Sequence, residues 1–113
     1  MPGHPIAGTE FSGAKNADSE LFKNKWCILT PKNKKDSNVK IIGNLWERLG
    51  MKISIMTAEE HDKIMSVTSH LPHLIAFTIV GTAFNMSIKK KKDLLNFSAG
   101  GFRDFTRIGS SDP

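Results

Sequence analysis

The 113-residue sequence contains a single cysteine, Cys27, and this scarcity excludes an internal disulfide. A purely apolar run of membrane-spanning length is also missing, because the uncharged stretch 67–87 contains two histidines, a proline and several Ser and Thr. A span needs about 20 predominantly apolar residues, so this stretch predicts a buried helix of a soluble protein. The first residues show neither the basic nor the apolar region of a signal peptide. We therefore expect a reducing, cytoplasmic setting, in which Cys27 is a packed thiol.

Charge and length narrow the class of protein further. Sixteen Lys and Arg against eleven Asp and Glu give a net charge of +5, while 39% apolar and 24% charged residues are typical of a globular chain. The length fits one domain and is too short for a complete two-domain enzyme. The run Lys89–Lys92 raises nucleic-acid binding as an alternative function. This run has no interleaved aromatic residues, so we expect a solvated connection between two helices.

Hydrophobic patterning divides the chain into two styles of structure. The apolar run at residues 26–30 predicts a strand, and apolar residues at three- and four-residue spacing over 39–49 predict an amphipathic helix that ends at Gly50. Alternation over residues 51–55 predicts a second strand. This strand-helix-strand unit is typical of the α/β domains that bind nucleotides.

The second half of the chain has helical patterning. Thr57 and Glu60 form a predicted capping box at a helix start, and Pro72 predicts a kink or break near residue 70. The segment Leu74–Val80 is apolar nearly all round, which predicts burial against another segment or a second subunit. The fold class is therefore α/β followed by all-α, with a predicted boundary between residues 1–57 and 58–113.

Histidines offer two metal hypotheses. The doublet His61-Asp62 also occurs in metal-dependent phosphohydrolases, which keeps a helical metal-binding domain of that kind as a second alternative. His61 and His70 lie about 13 Å apart on a continuous helix, too far to share one ion. A capping or inter-helix hydrogen bond explains His61 equally well. His70 and His73 lack a third ligand at suitable spacing, so we expect no metal.

Two further segments carry candidate chemistry. His4, between a glycine and a proline, predicts a rigid turn or loop at the carboxyl end of a strand, where α/β sheets bind ligands. Arg103 and Arg107 follow a Gly-Gly helix start at i and i+4 spacing, a corner suited to a carboxylate. An ordinary turn and a surface ion pair with Asp104 are the simpler interpretations of these two segments.

Together these segments resemble the prephenate dehydrogenases, the family that includes arogenate and cyclohexadienyl dehydrogenases. Five pieces stand in the order and approximate spacing of that family: HPIAGTE at 4–10, LTP at 29–31, HD at 61–62, SHLPH at 69–73 and GGFRDFTR at 100–107. The resemblance implies a nucleotide-binding domain followed by a helical domain that forms a homodimer, with the active site in the cleft between them. His4, His73 and Arg107 are then expected to converge on that cleft.

The implied activity belongs to tyrosine biosynthesis: NAD- or NADP-dependent oxidative decarboxylation of prephenate to 4-hydroxyphenylpyruvate, or of arogenate to tyrosine. By the same resemblance, His4 is the catalytic histidine, and Arg107 holds a substrate carboxylate with help from His73 and His70. Glu10 and Asp104 orient neighbouring groups and gate the cleft. The partner is a small-molecule substrate, with neither nucleic acid nor membrane involved.

The resemblance also implies what this sequence leaves out. The Gly-rich phosphate-binding turn of the family belongs upstream of His4, and the later helices of the dimer domain lie beyond residue 113. We therefore expect a fragment whose cofactor-binding residues are unknown, and whose activity in isolation is doubtful.

Overall fold

The computed structural model describes residues 1–9, 13–86 and 88–109, the side chain of residue 88 excepted, and the chain falls into two units, Met1–Ile64 and Met65–Pro113. The first unit contains strands and helices, and the second contains helices. The predicted order of an α/β part followed by an all-helical part is therefore confirmed.

A three-stranded sheet forms the centre of the first unit. Its strands are β1 (Gly3–Pro5), β2 (Trp26–Leu29) and β3 (Lys52–Ile55), in the order β1-β2-β3. β1 runs antiparallel to β2, whereas β2 and β3 are parallel and are joined by helix α1 (Ser37–Arg48). The predicted strand-helix-strand unit is present, with each element within two residues of its expected bounds.

Local chemistry sets both ends of α1. The Asp36 carboxylate accepts a hydrogen bond from the amide of Asn38 at 2.9 Å, which caps the helix start. At the other end Gly50 adopts φ 87°, and its amide donates to the Glu47 carbonyl at 2.9 Å. A Cβ at Gly50 would also lie 3.3 Å from Lys23 Cα. The left-handed conformation and the close neighbour explain why glycine follows this helix.

The core of the first unit lies between β2 and the elements around it. Cys27 and Leu29 are fully buried and Met51 nearly so, and four partly buried side chains pack against them: Phe22, Ile42, Trp46 and Ile53. Burial raises the pKa of the Cys27 thiol, because desolvation penalises the thiolate. Cys27 is thus a packed thiol, as expected.

Helices account for the rest of the chain. They are α2 (Ala58–Met65), a π-helical turn (Ser66–His70), α3 (Leu71–Phe84), α4 (Ile88–Asn96) and α5 (Gly100–Gly109). The predicted disturbance near residue 70 takes the form of the π-helical turn, in which the Leu71 amide donates to the Ser66 carbonyl. Pro72 follows in the first turn of α3, where its missing N–H and its ring are tolerated.

The lysine run corrects one expectation. Lys89–Lys92 do not form a connection between helices; they occupy the beginning of α4. Four consecutive lysines remain compatible with a helix because Lys is a good helix former and its ammonium reaches solvent. The Lys91 ammonium lies 5.1 Å from the centre of the Phe84 ring, a cation–π contact.

Helices α3 and α5 approach closely at one glycine. A Cβ at Gly109 would come within 2.8 Å of both the Ala76 carbonyl oxygen and Val80 Cγ2. Ala76 is fully buried at this contact. Small residues on both helices therefore allow their backbones to pack together.

Within the part of the chain that the structure describes, large apolar side chains of α3 are exposed. Leu74 is 64% exposed, Phe77 53% and Phe84 74%. The helical run Ala58–Phe84 is long and apolar enough to cross a membrane by length and composition alone, and 11% of its most apolar window is buried. A helix that packs against further protein has the same composition.

Candidate active site

His4 lies in strand β1, where it pairs with Ile28 of β2. The expected turn at this position is wrong: residues 3–5 are extended, and hydrogen bonds on either side, Ile6 N to Trp26 O at 2.7 Å and Thr30 N to Pro2 O at 3.1 Å, continue the pairing. Pro5 is compatible with a strand because β1 lies at an edge of the sheet. The strand presents the His4 side chain in an exposed position.

Packing explains why a glycine, Gly3, precedes His4. A Cβ at Gly3 would lie 3.1 Å from Leu29 Cδ2 and 3.8 Å from Trp46 Nε1. A larger residue would displace the buried Leu29 side chain or the strand itself. Gly3 thus lets β1 lie close to the core and fixes the position from which His4 projects.

His61 meets His4 from helix α2. The distance from His4 Nδ1 to His61 Nε2 is 2.8 Å, and the ring centroids are 5.1 Å apart at an interplanar angle of 65°. The His61 side chain is 19% exposed. The expected hydrogen bond of His61 is therefore present, but its partner lies on a strand of the sheet and not on another helix.

A capping box positions His61 at the start of α2. The Glu60 carboxylate accepts from the Thr57 amide at 2.8 Å and from its hydroxyl at 2.9 Å, while the Glu60 amide donates to Thr57 Oγ1 at 3.1 Å. The two hydrogen bonds that the Glu60 carboxylate accepts from Thr57 lower the pKa of Glu60. The His61 amide donates to the Thr57 carbonyl at 3.0 Å. The predicted capping box is confirmed, and it fixes the first turn that carries His61.

Asp62 completes a row of three side chains. Its Oδ1 lies 2.9 Å from His61 Nδ1, and its side chain is 80% exposed. Both ring nitrogens of His61 are therefore engaged by protein groups. Among the residues that the structure describes, no group of three or more His, Cys, Asp or Glu side chains is placed to hold a metal ion.

The other candidate residues that the structure describes belong to the second unit. His73 Nδ1 donates to the Ser69 carbonyl at 2.8 Å, and its ring lies 6.4 Å from that of Phe77. His70 ends the π-helical turn, a rare conformation that is frequent at functional sites. The hydrogen bond to Ser69 occupies Nδ1, one of the two ring nitrogens of His73.

Helix α5 carries the other two candidates. Asp104 and Arg107 are both exposed, and Thr106 between them donates to the Phe102 carbonyl at 2.9 Å. Arg107 lies in the last turn of the helix. Glu10 lies outside the residues that the structure describes. The expected convergence of His4, His73 and Arg107 stays a prediction.

Helix starts beside the sheet bear on nucleotide binding. A dinucleotide cofactor places its phosphates at a helix N-terminus that follows a strand. Here α1 follows β2, and the Asp36 carboxylate caps its start. Helix α2 follows β3; the Thr57 hydroxyl caps its start, and the Glu60 carboxylate accepts from the Thr57 amide. A carboxylate repels a phosphate at the same amides, and residues 1–55 contain no Gly-x-Gly-x-x-Gly motif. The described residues do not form the phosphate-binding part of such a site.

Comparison with known families decides which proteins this chain is related to. Residues 1–55 match the family model described as "Prephenate dehydrogenase, nucleotide-binding domain". Residues 57–113 match that described as "Prephenate dehydrogenase, dimerization domain". The chain belongs to the prephenate dehydrogenase family.

Curated relatives and solved structures agree with this assignment. The chain is 40% identical to a cyclohexadienyl dehydrogenase of Zymomonas mobilis over 114 aligned residues, which cover 100% of this chain and 39% of that protein. It is 42% identical to a prephenate dehydrogenase of Bacillus subtilis over 98% of this chain and 30% of that protein. The chain thus spans between three and four tenths of the length of these two relatives.

Two solved structures of the family superpose well on this chain. Prephenate dehydrogenase from Aquifex aeolicus in complex with hydroxyphenyl propionate and NAD+ gives a TM-score of 0.84 at 46% identity, covering 98% of this chain and 39% of that one. Arogenate dehydrogenase from Synechocystis gives 0.74 at 32% identity, covering 98% and 41%. The prephenate dehydrogenase fold is therefore present across nearly the whole chain.

Sequence reasoning missed the pairing of His4 with His61. The two residues are separated by 57 positions, and neither lies in a pattern that specifies its partner. The proline-flanked histidine and the His-Asp doublet were each visible, but only folding brings β1 and the start of α2 together.

Proposed function

We propose that this chain forms the part of an NAD(P)-dependent dehydrogenase that carries the proton-accepting histidine, with prephenate or arogenate as substrate. Family membership supports the reaction class. One geometric observation supports the role of His4: its Nδ1 is held by His61 at 2.8 Å, while the side chain stays exposed. The Nε2 atom is therefore left for a substrate.

The reaction is an oxidative decarboxylation. The ring carbon that bears the hydroxyl loses a hydride, the hydroxyl becomes a carbonyl, and loss of the ring carboxylate as CO2 gives an aromatic product. The nicotinamide of NAD+ or NADP+ supplies the hydride acceptor when bound. The part of His4 is to accept the hydroxyl proton at Nε2 and to return it to the ring oxygen once loss of CO2 leaves a phenolate, which requires an imidazole that starts neutral with its lone pair on that nitrogen.

Arg107 is proposed to bind a substrate carboxylate. A guanidinium can hold a carboxylate through two parallel hydrogen bonds. His73, whose Nδ1 is engaged by Ser69, offers Nε2 to the same ligand, and His70 is a further candidate. Glu10 and Asp104 are proposed to orient neighbouring groups and to gate the site.

The wider organisation is proposed from the family as well. We place the boundary between the nucleotide-binding and dimerisation parts after residue 57. A homodimer would cover the apolar side chains that α3 exposes, such as Leu74 and Phe84. We propose a cytoplasmic enzyme that binds neither nucleic acid nor membrane.

Activity can be tested in the protein in which this sequence occurs. Reduced nicotinamide is followed by absorbance with prephenate or arogenate, each combined with NAD+ or NADP+. We expect reduction that depends on the substrate in at least one combination, with release of CO2, and its loss in a His4→Ala variant. A folded protein that reduces neither cofactor with either substrate would contradict the proposal.

A further inference from the structure

Three side chains of the first unit form a hydrogen-bonded row that ends at the proposed proton acceptor. Asp62 Oδ1 lies 2.9 Å from His61 Nδ1, and His61 Nε2 lies 2.8 Å from His4 Nδ1. We propose that His61, oriented by Asp62, is a positioning residue that fixes the tautomer and the ring orientation of His4. One part of this inference rests on the proposed function, namely that His4 accepts a substrate proton at Nε2.

When His4 and His61 are both neutral, only one placement of their ring protons satisfies both hydrogen bonds of the row. An ionised Asp62 accepts only, so His61 Nδ1 must carry the proton that it shares with the carboxylate. A neutral His61 then has a bare Nε2, which accepts from His4 Nδ1–H. With its proton on Nδ1, a neutral His4 has its lone pair on Nε2. The row thus selects the tautomer that can accept a substrate proton.

Two other protonation states of His61 are possible, and each has an unfavourable consequence. A bare Nδ1 on His61 would face the Asp62 carboxylate, placing two acceptors 2.9 Å apart with no proton between them. A doubly protonated His61 would donate to His4 Nδ1 and move the His4 proton to Nε2. In that state His4 becomes a donor toward substrate and loses its function as a base.

The exposure of His61 and Asp62 indicates how Asp62 influences His4. The His61 side chain is 19% exposed, whereas that of Asp62 is 80% exposed. Solvent screens the charge of Asp62, so its contribution to His4 comes through the direction of the hydrogen bond more than through the field of the carboxylate. The capping box at Thr57 and Glu60 holds the turn that carries both residues, so the row is built on an ordered helix start.

Histidine tautomers can be read directly by 15N NMR of this chain, because protonated and bare ring nitrogens have distinct shifts. We expect wild-type His4 to carry its proton on Nδ1 at neutral pH. Asp62→Asn offers His61 Nδ1 either an amide oxygen or an amide N–H, so the direction of the row is no longer fixed and part of the His4 proton should move to Nε2. Glu59→Gln is the matched control, since it removes one negative charge from an exposed position of the same helix.

A second pair of variants separates positioning from folding. His61→Gln keeps an acceptor oxygen near the place of Nε2 and should retain the Nδ1–H tautomer of His4, whereas His61→Leu should leave a mixture. Asp62→Asn alters an exposed side chain, so it still tests the inference if the leucine variant does not fold. An unchanged His4 tautomer in a folded Asp62→Asn variant would overturn the proposal, as would a wild-type His4 protonated mainly on Nε2.

Kinetics connect the tautomer to turnover. Partners that orient a metal-ligating histidine typically contribute about 10- to 100-fold. We expect an effect of the same order here, so Asp62→Asn and His61→Leu should lower kcat with little change in KM. His61→Gln should recover most of the loss. A protein that shows the tautomer shift but never oxidises prephenate or arogenate would refute the proposed function and leave the positioning intact; full kcat with a shifted tautomer would refute the positioning role.

Discussion

The imidazoles of His4 and His61 meet edge to face, with Nδ1 of the first 2.8 Å from Nε2 of the second. One ring comes from an edge strand and the other from the first turn of a helix. Their contact joins residues that the sequence keeps 57 positions apart. It gives the proposed proton acceptor a fixed neighbour on one side of its ring and leaves the other side for substrate.

Different kinetic signatures are expected for His4 and Arg107. His4→Ala removes a proton acceptor whose hydrogen bond strengthens as the hydroxyl becomes a carbonyl, so kcat should fall by about 10²- to 10⁴-fold. Arg107→Ala removes a carboxylate anchor used in both ground and transition states, so KM should rise at least as much as kcat falls. Steady-state kinetics at saturating cofactor measure both constants.

The exposed Lys40 on α1 supplies a control for the lost charge. Lys40→Ala removes one positive charge from a residue with no assigned role and should change neither constant. A His4 variant with normal kcat, together with an Arg107 variant of normal KM, would show that both assigned roles are wrong.

Two glycines near α1 should respond in opposite directions to alanine. Gly50 has φ 87°, and a Cβ added there would lie 3.3 Å from a backbone atom of Lys23, so Gly50→Ala should destabilise the fold by about 1–2 kcal/mol. Gly43 lies inside α1, where the nearest atom to an added Cβ is Leu29 Cδ1 at 4.0 Å. Gly43→Ala should stabilise by up to about 1 kcal/mol. Equilibrium urea unfolding followed by tryptophan fluorescence measures both, and equal effects of the same sign would contradict the prediction.

The capping box should make stability depend on pH. Its hydrogen bonds lower the pKa of Glu60 from the ordinary 4.5, so the folded state binds the proton more weakly than the unfolded state does. The contribution of Glu60 is therefore complete above pH 4.5 and is lost as pH falls through and below that value. Glu60→Gln should be less stable than wild type at neutral pH, and the gap should shrink in acid. Glu59→Gln, without the capping contacts, should show a smaller pH-dependent gap.

The exposed apolar side chains of α3 should cause the chain to self-associate. Leu74 and Phe77 lie one turn apart and are more than half exposed. Sedimentation of the chain at micromolar concentration should show dimers or larger species, and a Leu74→Lys, Phe77→Lys double variant should shift them toward monomer. Ile41→Lys, which alters an exposed apolar residue of α1, is the control. A wild-type chain that sediments as a stable monomer would contradict the prediction.

The sequence by itself determined the local elements, because their signals lie within a few neighbouring residues. Apolar spacing located α1, the requirement for a left-handed residue located its end at Gly50, and the Thr57–Glu60 pair located the start of α2. The ordered motifs also identified the family. Each of these signals depends on short-range hydrogen bonding, backbone conformation or side-chain periodicity, which act before any distant contact forms.

Tertiary structure alone decided the conformation of His4 and which side chains surround it. A Gly-His-Pro triplet predicts a turn when considered locally, yet pairing with β2 draws it into a strand. That pairing, together with the start of α2, brings His61 to His4 and Asp62 to His61. No periodicity encodes such a meeting, because it depends on the lengths and packing of all the elements between residues 5 and 61. The contact at His4 Nδ1 is consequently a property of the fold and not of the motif that contains it.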